Sequence, residues 1–336
     1  MPKMPDTFRA YVVDRRGDEF ERGLATLTPV DLPDGEVEVR VLWSSVNFKD
    51  GLAATADGKV ARSYPLVPGI DMAGMVVRSS HPSFRPGAHV LAHGYDLGTS
   101  RHGGFAEYAR RPADWVVRIP AGLTARDAMV LGTAGFTAAQ AVIELETRGL
   151  EPAGRPVLVT GATGGVGSTA IGILAELGYE VWAVTGKPDE EPWLRSLGAV
   201  GFLSRDEAAA DGRPLESERW AAAIDSVGAA TLPYILRTLR RGGAVAACGN
   251  ASGPGLATTV FPFILRGAAI LGIDSAYLPI AKRRRVWERL AGDLRPRGLG
   301  DRVTEVTLET LETALDGIVA GQARGRWIVR VGADEA

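Results

Sequence analysis

The chemistry-bearing residues of this chain gather first around a glycine-rich string, Gly161-Ala162-Thr163-Gly164-Gly165-Val166-Gly167. It follows a short apolar run, 156–160 (PVLVT), and precedes a helix expected over 168–177. Glycine lets a backbone turn sharply and approach a bulky anion. A helix starting just after it aims unpaired N–H groups and positive partial charge at the same point. A strand–turn–helix of this kind reads as a dinucleotide pyrophosphate site, the plain alternative being a purely structural turn. The next apolar run, 180–185 (EVWAVT), leads into Gly186-Lys187. A carboxylate at that strand end would grip a ribose 2′-hydroxyl, and none stands there. Thr185 can donate a hydrogen bond, Lys187 can pair with a 2′-phosphate, and Arg205 can close the pocket. The expected cofactor is therefore NADPH rather than NADH, unless Lys187 is only a solvated loop lysine. Asp189, Glu190 and Glu191 follow, but they are expected to lie clear of the ribose.

The elements that must position these groups change character along the chain. The first third reads as strands and turns. Residues 36–43 (EVEVRVLW) alternate polar and apolar, the period of a half-buried strand. Further strand-like runs lie at 74–77, 89–92 and 115–119, punctuated by glycine and proline. From Ala125 the pattern becomes helical, with one long helix expected over 125–145. Then apolar runs at 156–160, 180–185, 200–203, 222–225, 243–247 and 269–273 alternate with helical stretches, which implies a parallel sheet covered by helices. A last strand is expected over 326–331 (RWIVRV), in a C-terminal segment that returns to the first domain.

Composition bounds the function. With 336 residues the chain is long enough for two domains. Its formal net charge of -2 gives no basic field for nucleic acid. No uninterrupted apolar stretch reaches the roughly 20 residues that span a bilayer, and residues 1–10 do not read as a signal peptide. One cysteine, Cys248, rules out an internal disulfide and fits a cytoplasmic location. That cysteine and four histidines (His81, His89, His93, His102) show no ligand spacing, so no metal is expected and the histidines are read as surface or loop residues.

Six ordered segments carry a resemblance. They are Ser44-Ser45-Val46-Asn47-Phe48-Lys49-Asp50, Pro68-Gly69-Ile70-Asp71-Met72-Ala73-Gly74, Gly132-Thr133-Ala134-Gly135-Phe136-Thr137-Ala138, the glycine string, Pro262-Phe263-Ile264-Leu265-Arg266 and Gly272-Ile273-Asp274-Ser275. Together they resemble the zinc-free branch of the medium-chain dehydrogenase/reductase superfamily that holds bacterial acryloyl-CoA reductases and YhdH-type quinone oxidoreductases. The resemblance covers nearly the whole chain. It implies an α/β protein with a GroES-like β-rich catalytic domain (1–125), a doubly wound Rossmann domain binding NADPH (126–265), a return segment (266–336) and a homodimer. It also implies that Thr163, Gly164, Gly165 and Val166 take the pyrophosphate, and that Thr185, Gly186, Lys187 and Arg205 take the adenosine phosphate. Asn250, Ile264 and Ser275 would lie near the nicotinamide half, and Arg326 would help close the cleft. Phe48 and Thr137 complete the expected cofactor set. Relatives often carry tyrosine where this chain has Phe48, so a hydroxyl is missing there.

Where zinc relatives place ligands, this chain reads Asn47 and Asp71. Without a metal to polarise an alcohol, such a site suits an enoyl thioester, enone or quinone, whose own carbonyl accepts electron density after hydride attack. Asn47 would donate from its amide to the developing oxyanion and Asp71 would orient neighbours or relay a proton, the alternative being that both only hold loops. Lys49 and Asp50 could instead form a structural pair. The basic run Lys282-Arg283-Arg284-Arg285 is either a phosphate-attracting cluster for coenzyme A or a solvated helix face. The expected reaction is reduction of acryloyl-CoA to propionyl-CoA, with quinone reduction as the alternative and a non-catalytic NADPH-binding sensor as the remote one.

Overall fold

The computed structural model describes residues 3–152 and 156–332, so the outermost residues of the first and last expected segments lie outside it. Its elements run β1 (Phe8–Arg16), β2 (Glu19–Leu27), β3 (Val37–Val46), α1 (Phe48–Ala53), β4 (Asp71–Ser79), β5 (His89–His93), β6 (Tyr108–Arg111), β7 (Val116–Arg118) and α2 (Ala125–Thr147). Then come β8 (Pro156–Val159), α3 (Gly165–Glu176), β9 (Glu180–Thr185), α4 (Glu191–Ser196), β10 (Ala199–Ser204), β11 (Trp220–Asp225), α5 (Thr231–Thr238), β12 (Leu239–Ala247), α6 (Phe261–Arg266) and β13 (Ala269–Gly272). The chain closes with α7 (Ile280–Ala291), β14 (Val303–Thr307), α8 (Leu311–Val319) and β15 (Arg326–Arg330).

Two units result. The first takes the chain up to Thr133, Ala276–Glu288 and everything from Arg302, and the second takes Ala134–Ser275 and Arg289–Asp301. The expected return at residue 266 is therefore too early. Strand β13 pairs parallel with β12 and stays in the second unit. Segment 289–301 also goes back there, because Arg289 bonds Glu146 at 2.7 Å and the Arg297 N–H reaches the Gly172 carbonyl.

In the first unit the sheet order is β14-β15-β3-β4-β5-β7, with β6 also on β3, and β1 with β2 form a separate hairpin. Strand β3 is buried almost throughout rather than half-buried, because it has paired neighbours on both edges and packing on both faces. Its Val37, Val39 and Val41 are fully buried; each such side chain contributes roughly 1.5–3 kcal/mol. Glu38, polar by pattern, is buried too, and stays ionised because Arg78 and Arg110 bond it at 2.7 and 3.2 Å. The hairpin and β14 escaped sequence reading because their charged residues break the apolar pattern.

The second unit is a parallel sheet in the order β10-β9-β8-β11-β12-β13. Winding reverses between β8 and β11, and ligands of doubly wound sheets bind at the carboxyl ends of strands flanking such a reversal. The glycine string follows β8 directly, at that position. Of the two runs read as strands buried on both faces, β8 is so, with Val157, Leu158 and Val159 fully inaccessible, while β9 leaves Glu180 and Trp182 partly accessible.

Helix α2 is not the single regular helix expected. It breaks at Gly132 (φ 51°, ψ -158°). By length and composition α2 is apolar enough to cross a membrane, yet 83% of that stretch is buried inside the fold, as in a core helix. A Cβ on Gly132 would lie 2.6 Å from Asp71 Oδ2, 2.7 Å from Arg326 Nη2 and 2.7 Å from Ser45 Oγ. Only glycine fits that backbone conformation and that space.

Two glycine replacements separate these effects. Gly149 also has positive φ (85°), but a Cβ there meets nothing within 4 Å. Gly149→Ala is expected to cost only backbone strain, about 1–2 kcal/mol. Gly132→Ala adds a clash with three hydrogen-bonded polar atoms, for a total of roughly 3–5 kcal/mol in urea unfolding. Equal losses would show that the contacts around Gly132 carry no weight.

Candidate active site

In the first unit, four elements converge on one carboxylate. Asp71 opens β4 and is fully buried. Its Oδ2 accepts from Ser45 Oγ (2.5 Å) and Asn47 Nδ2 (2.8 Å), and its Oδ1 accepts from Thr133 Oγ1 (2.5 Å). The Thr133 N–H reaches both oxygens at 3.0 and 3.1 Å. That N–H points at Asp71 because the break at Gly132 interrupts the helical ladder. Ser45 and Asn47 sit at the end of β3, two residues apart. Arg326, first residue of β15, donates from Nη2 to Ser45 Oγ (2.8 Å), from Nη1 to Asn47 Oδ1 (3.4 Å) and from Nε to the Val130 carbonyl (2.9 Å). Its buried cation faces the charges of Asp71 and Asp50, the pairing a buried carboxylate requires.

Asp50 completes the assembly. Its Oδ2 accepts from the Asn47 N–H (2.8 Å) and Asn47 Nδ2 (3.2 Å), and its Oδ1 from the N–H groups of Ile70 (2.8 Å) and Gly69 (3.2 Å). It is therefore not the partner of Lys49, which is exposed. This arrangement also alters the part expected of Asn47. Its amide N–H groups are directed at Asp71 and Asp50, and its oxygen at Arg326. The amide that sequence reading aims at a substrate oxyanion is turned inward.

His93, expected at the surface, closes β5 and is fully buried. It is the cross-strand partner of Asp71 in the β4–β5 register. Trp287 Nε1 donates to His93 Nε2 at 2.9 Å, and Arg283 donates to the His93 carbonyl at 3.0 Å and the Ala276 carbonyl at 2.9 Å. The run 282–285 is thus split by helical spacing. Lys282, Arg284 and Arg285 are exposed, while Arg283 is fully buried, so it is neither a solvated face throughout nor a four-residue phosphate cluster.

In the second unit, Gly164 caps α3, whose first turn spans Gly165 and Val166. The first N–H groups of a helix have no intrahelical acceptor and suit a diphosphate. Gly161 has φ 58°, and a Cβ there would lie 2.5 Å from Ser226 Oγ; at Gly167 it would lie 2.3 Å from the Gly161 carbonyl oxygen. Those two glycines shape the turn. At Gly164 a Cβ would lie 3.3 Å from the Gly161 carbonyl oxygen, a tight contact but not a clash. Thr163 lies in the turn and is mostly buried.

Past β9, a groove of about 490 Å³ is lined by Thr185, Gly186, Ser204 and Arg205 among others. Arg205 lies over Gly186, where a Cβ would come within 2.5 Å of its Nε. Thr185 Oγ1 accepts the Lys187 N–H at 3.0 Å. Glu191, expected clear of the groove, also lines it. Glu207 is taken up by the N–H and hydroxyl of Ser204, both at 2.7 Å. Residues Thr163, Gly164, Gly165 and Val166 thus form one group, and Thr185, Gly186 and Arg205 another. Thr137 and Ser275 meet through their hydroxyls at 2.8 Å. Asn250 and Ile264 are exposed on the second unit, and Phe48 is half exposed on the first. Arg326 groups with Asn47 and Asp71. Sequence reading assigned no role to Ser45, Thr133 or His93. The two-residue spacing of Ser45 and Asn47 and the glycine before Thr133 are signals that were available.

Burial first, and then the Asp71 charge, push the Asp50 carboxyl up to about 7, against the pull of its N–H donors. An unfolded aspartate titrates near 4. The folded state therefore holds the proton more tightly, and Asp50's contribution to stability is complete below about pH 4 and lost as pH rises toward 7. Between pH 5 and 8 the urea midpoint of the unaltered protein is expected to fall more than that of Asp50→Asn. Parallel slopes would contradict this.

The alcohol dehydrogenase GroES-like domain family matches residues 33–121, and the zinc-binding dehydrogenase family matches 165–291. Among the described residues, no three His, Cys, Asp or Glu side chains gather as a metal cluster. The acrylyl-CoA reductase AcuI of Ruegeria pomeroyi is 48% identical, over 97% of this chain and 100% of its own. The putative quinone oxidoreductase YhfP of Bacillus subtilis is 44% identical, over 98% and 100%, and its crystal structure with NAD bound matches with a TM-score of 0.94 over 96% and 99%. The YhdH oxidoreductase of Salmonella enterica, crystallised with NADP, is 45% identical with a TM-score of 0.94, over 96% of this chain and 100% of its own. With this end-to-end agreement in sequence and fold, the chain belongs to the medium-chain dehydrogenase/reductase superfamily, in the branch that holds AcuI, YhdH and YhfP.

Proposed function

We propose that this chain is an NADPH-dependent reductase that delivers hydride to the activated carbon–carbon double bond of acryloyl-CoA, giving propionyl-CoA. The observation that carries the reading is the full-length relationship to AcuI. The donor set agrees with it. A capped helix N-terminus stands at the reversal of the parallel sheet, and the groove past the next strand offers Arg205 beside Thr185.

NADPH, when bound, supplies the hydride for the β-carbon, and the thioester carbonyl takes up the displaced electron density. The chain's own residues bind and hold. The first turn of α3 receives the diphosphate, and Arg205 with Thr185 receives the adenosine phosphate. The Asp71 assembly fixes the junction of β3 and α1. Because its hydrogen bonds face inward, its part is to hold that junction, not to contact the acceptor. A catalytic zinc needs three protein ligands and a free position, and the residues at Asn47 and Asp71 are spent on one another and on Ser45, Asp50, Thr133 and Arg326, so zinc is not required. A homodimer is supported by the open edge of β13 and by the exposed apolar side chains of Val260, Phe261, Ile264 and Leu265 beside it in sequence.

The relationship to YhfP favours a second reading, quinone reduction, and YhfP's bound NAD makes the cofactor a question to test. Steady-state kinetics on protein dialysed against EDTA decide among these. Acryloyl-CoA is expected to show the highest kcat/KM, quinones less, and free acrylate near background, because a carboxylate is a poorer electron sink than a thioester. Arg205→Ala is expected to raise the KM for NADPH by about tenfold, the loss of one charge-assisted contact, and to leave NADH little changed. A quinone turning over faster at equal, sub-saturating concentration, or activity recovered only with added zinc, would overturn the reading. Cofactor binding without turnover of any acceptor would return the chain to a sensor.

A further inference from the structure

Asp225 closes β11 and is fully buried, yet the cofactor donors described above make no use of it. It stands at the reversal of the sheet, beside the end of β8. Thr160, the residue after β8, is buried there too and donates its hydroxyl to Asp225 Oδ1 at 2.6 Å. The same hydroxyl oxygen accepts the Ser226 N–H at 3.1 Å, so its single proton is left for the carboxyl group. Asp225 Oδ1 also accepts the Val227 N–H (3.3 Å), and Oδ2 accepts the Gly228 N–H (3.0 Å). Burial pushes the Asp225 carboxyl above its ordinary range, and these donors, Thr160 foremost, pull it back. The carboxyl group thereby winds residues 226–228 into a tight turn, which pairs with the loop after β12. The Ser252 N–H reaches the Val227 carbonyl at 2.9 Å, the Ala251 N–H the Ser226 carbonyl at 3.4 Å, and the Ala229 N–H the Gly253 carbonyl at 3.2 Å. Toward β8, Ser226 Oγ donates to the Thr160 carbonyl at 3.3 Å and fills the space beside Gly161, where a Cβ would come within 2.5 Å of it. One side chain therefore links the glycine turn to the loops that follow β11 and β12.

The strand order fixes the direction of a dinucleotide across this end of the sheet. The adenosine phosphate donors, Thr185 and Arg205, lie past β9, on one side of β8. The diphosphate donors follow β8 itself. The remaining half then runs to the other side, over the ends of β11 and β12, where residues 249–252 are exposed. We propose that Asp225 is a positioning residue for that nicotinamide half. With Thr160 it locks the loops 225–229 and 249–253 into one shelf, in register with the pyrophosphate turn. The proposal rests on the cofactor reading above. Without the carboxyl group the Val227 and Gly228 N–H groups lose their acceptor, the paired loops loosen, and the shelf loses its place beside Gly161. The donors past β9 are untouched.

Ligands of different length separate this part from a general loss of structure. Adenosine 2′,5′-bisphosphate reaches only the donors past β9, whereas NADPH covers both halves. In Asp225→Ala the Kd for NADPH, read from its fluorescence, is expected to rise about tenfold, the size of one hydrogen bond to a charged group. The Kd for adenosine 2′,5′-bisphosphate, read by calorimetry, is expected to stay unchanged. Thr160→Val removes only the hydroxyl and is expected to show the same contrast at about threefold, the size of a neutral hydrogen bond. It carries the test if Asp225→Ala does not fold. Amide hydrogen exchange of the cofactor-free protein gives a second readout. The Ala229, Ala251 and Ser252 amides are expected to exchange several-fold faster in Thr160→Val, with those of β9 unchanged. Equal weakening of both ligands, an unchanged NADPH affinity, or unchanged exchange at those three amides overturns the proposal and leaves the cofactor reading standing. If the unaltered protein binds neither NADPH nor NADH, the cofactor reading itself fails and the proposal falls with it.

Discussion

The first unit depends on a buried carboxyl group, Asp71, that needs several hydrogen-bond donors around it. Asp71 lies fully out of water, and an isolated charge there would cost many kcal/mol. It is met by hydroxyls from Ser45 and Thr133, the Asn47 amide and the Thr133 backbone N–H, with the Arg326 guanidinium close behind. These groups come from β3, a broken helix and the C-terminal strand. The fold has to bring residues 45 and 326 to adjacent strands, which the Ile328–Ser45 register does. It also has to break α2 where a side chain would strike the assembly. The glycine at 132 and the pairing of the last strand with β3 both serve to house that group.

The second unit answers to a different constraint, room for an anion at a sheet reversal. Gly161 and Gly167 shape the turn, and Gly164 caps the helix that follows. The groove past β9 adds a cation where a carboxylate would otherwise discriminate for NAD. Glu191 and Asp206 also line it, while Glu207 is turned to cap Ser204. Arg205 is the cation among the residues that line the groove.

Much of this was legible in the sequence, for reasons that differ by element. Strands β8, β9 and β11 were readable because both faces are largely buried, leaving unbroken apolar runs between glycines. The cofactor turn was readable because its spacing is forced by close backbone approach. Strands β1, β2 and β14 were not, since charged residues on exposed faces erase the apolar pattern. The break in α2 was hidden because glycine is tolerated in helices, and nothing local says that Asp71 lies behind Gly132. Asn47 and Asp71 were found, but the direction of their hydrogen bonds was not. An amide's partners are set by strands distant in sequence. His93 and Arg283 were misplaced for the same reason, as a histidine on a short strand and an arginine in a basic run give no local sign of burial.

On the reductase reading, the Asp71 assembly holds the site in shape and does not itself transfer the proton that completes reduction. Single-turnover rates of NADPH oxidation by acryloyl-CoA, measured for the unaltered protein and for Asp71→Asn from pH 6 to 9, test it most directly. If the assembly only holds, the variant is slower by the same factor at every pH. A ratio of rates that changes through an apparent pKa, with one limb of the profile lost in the variant, would place Asp71 in the proton transfer and contradict the account.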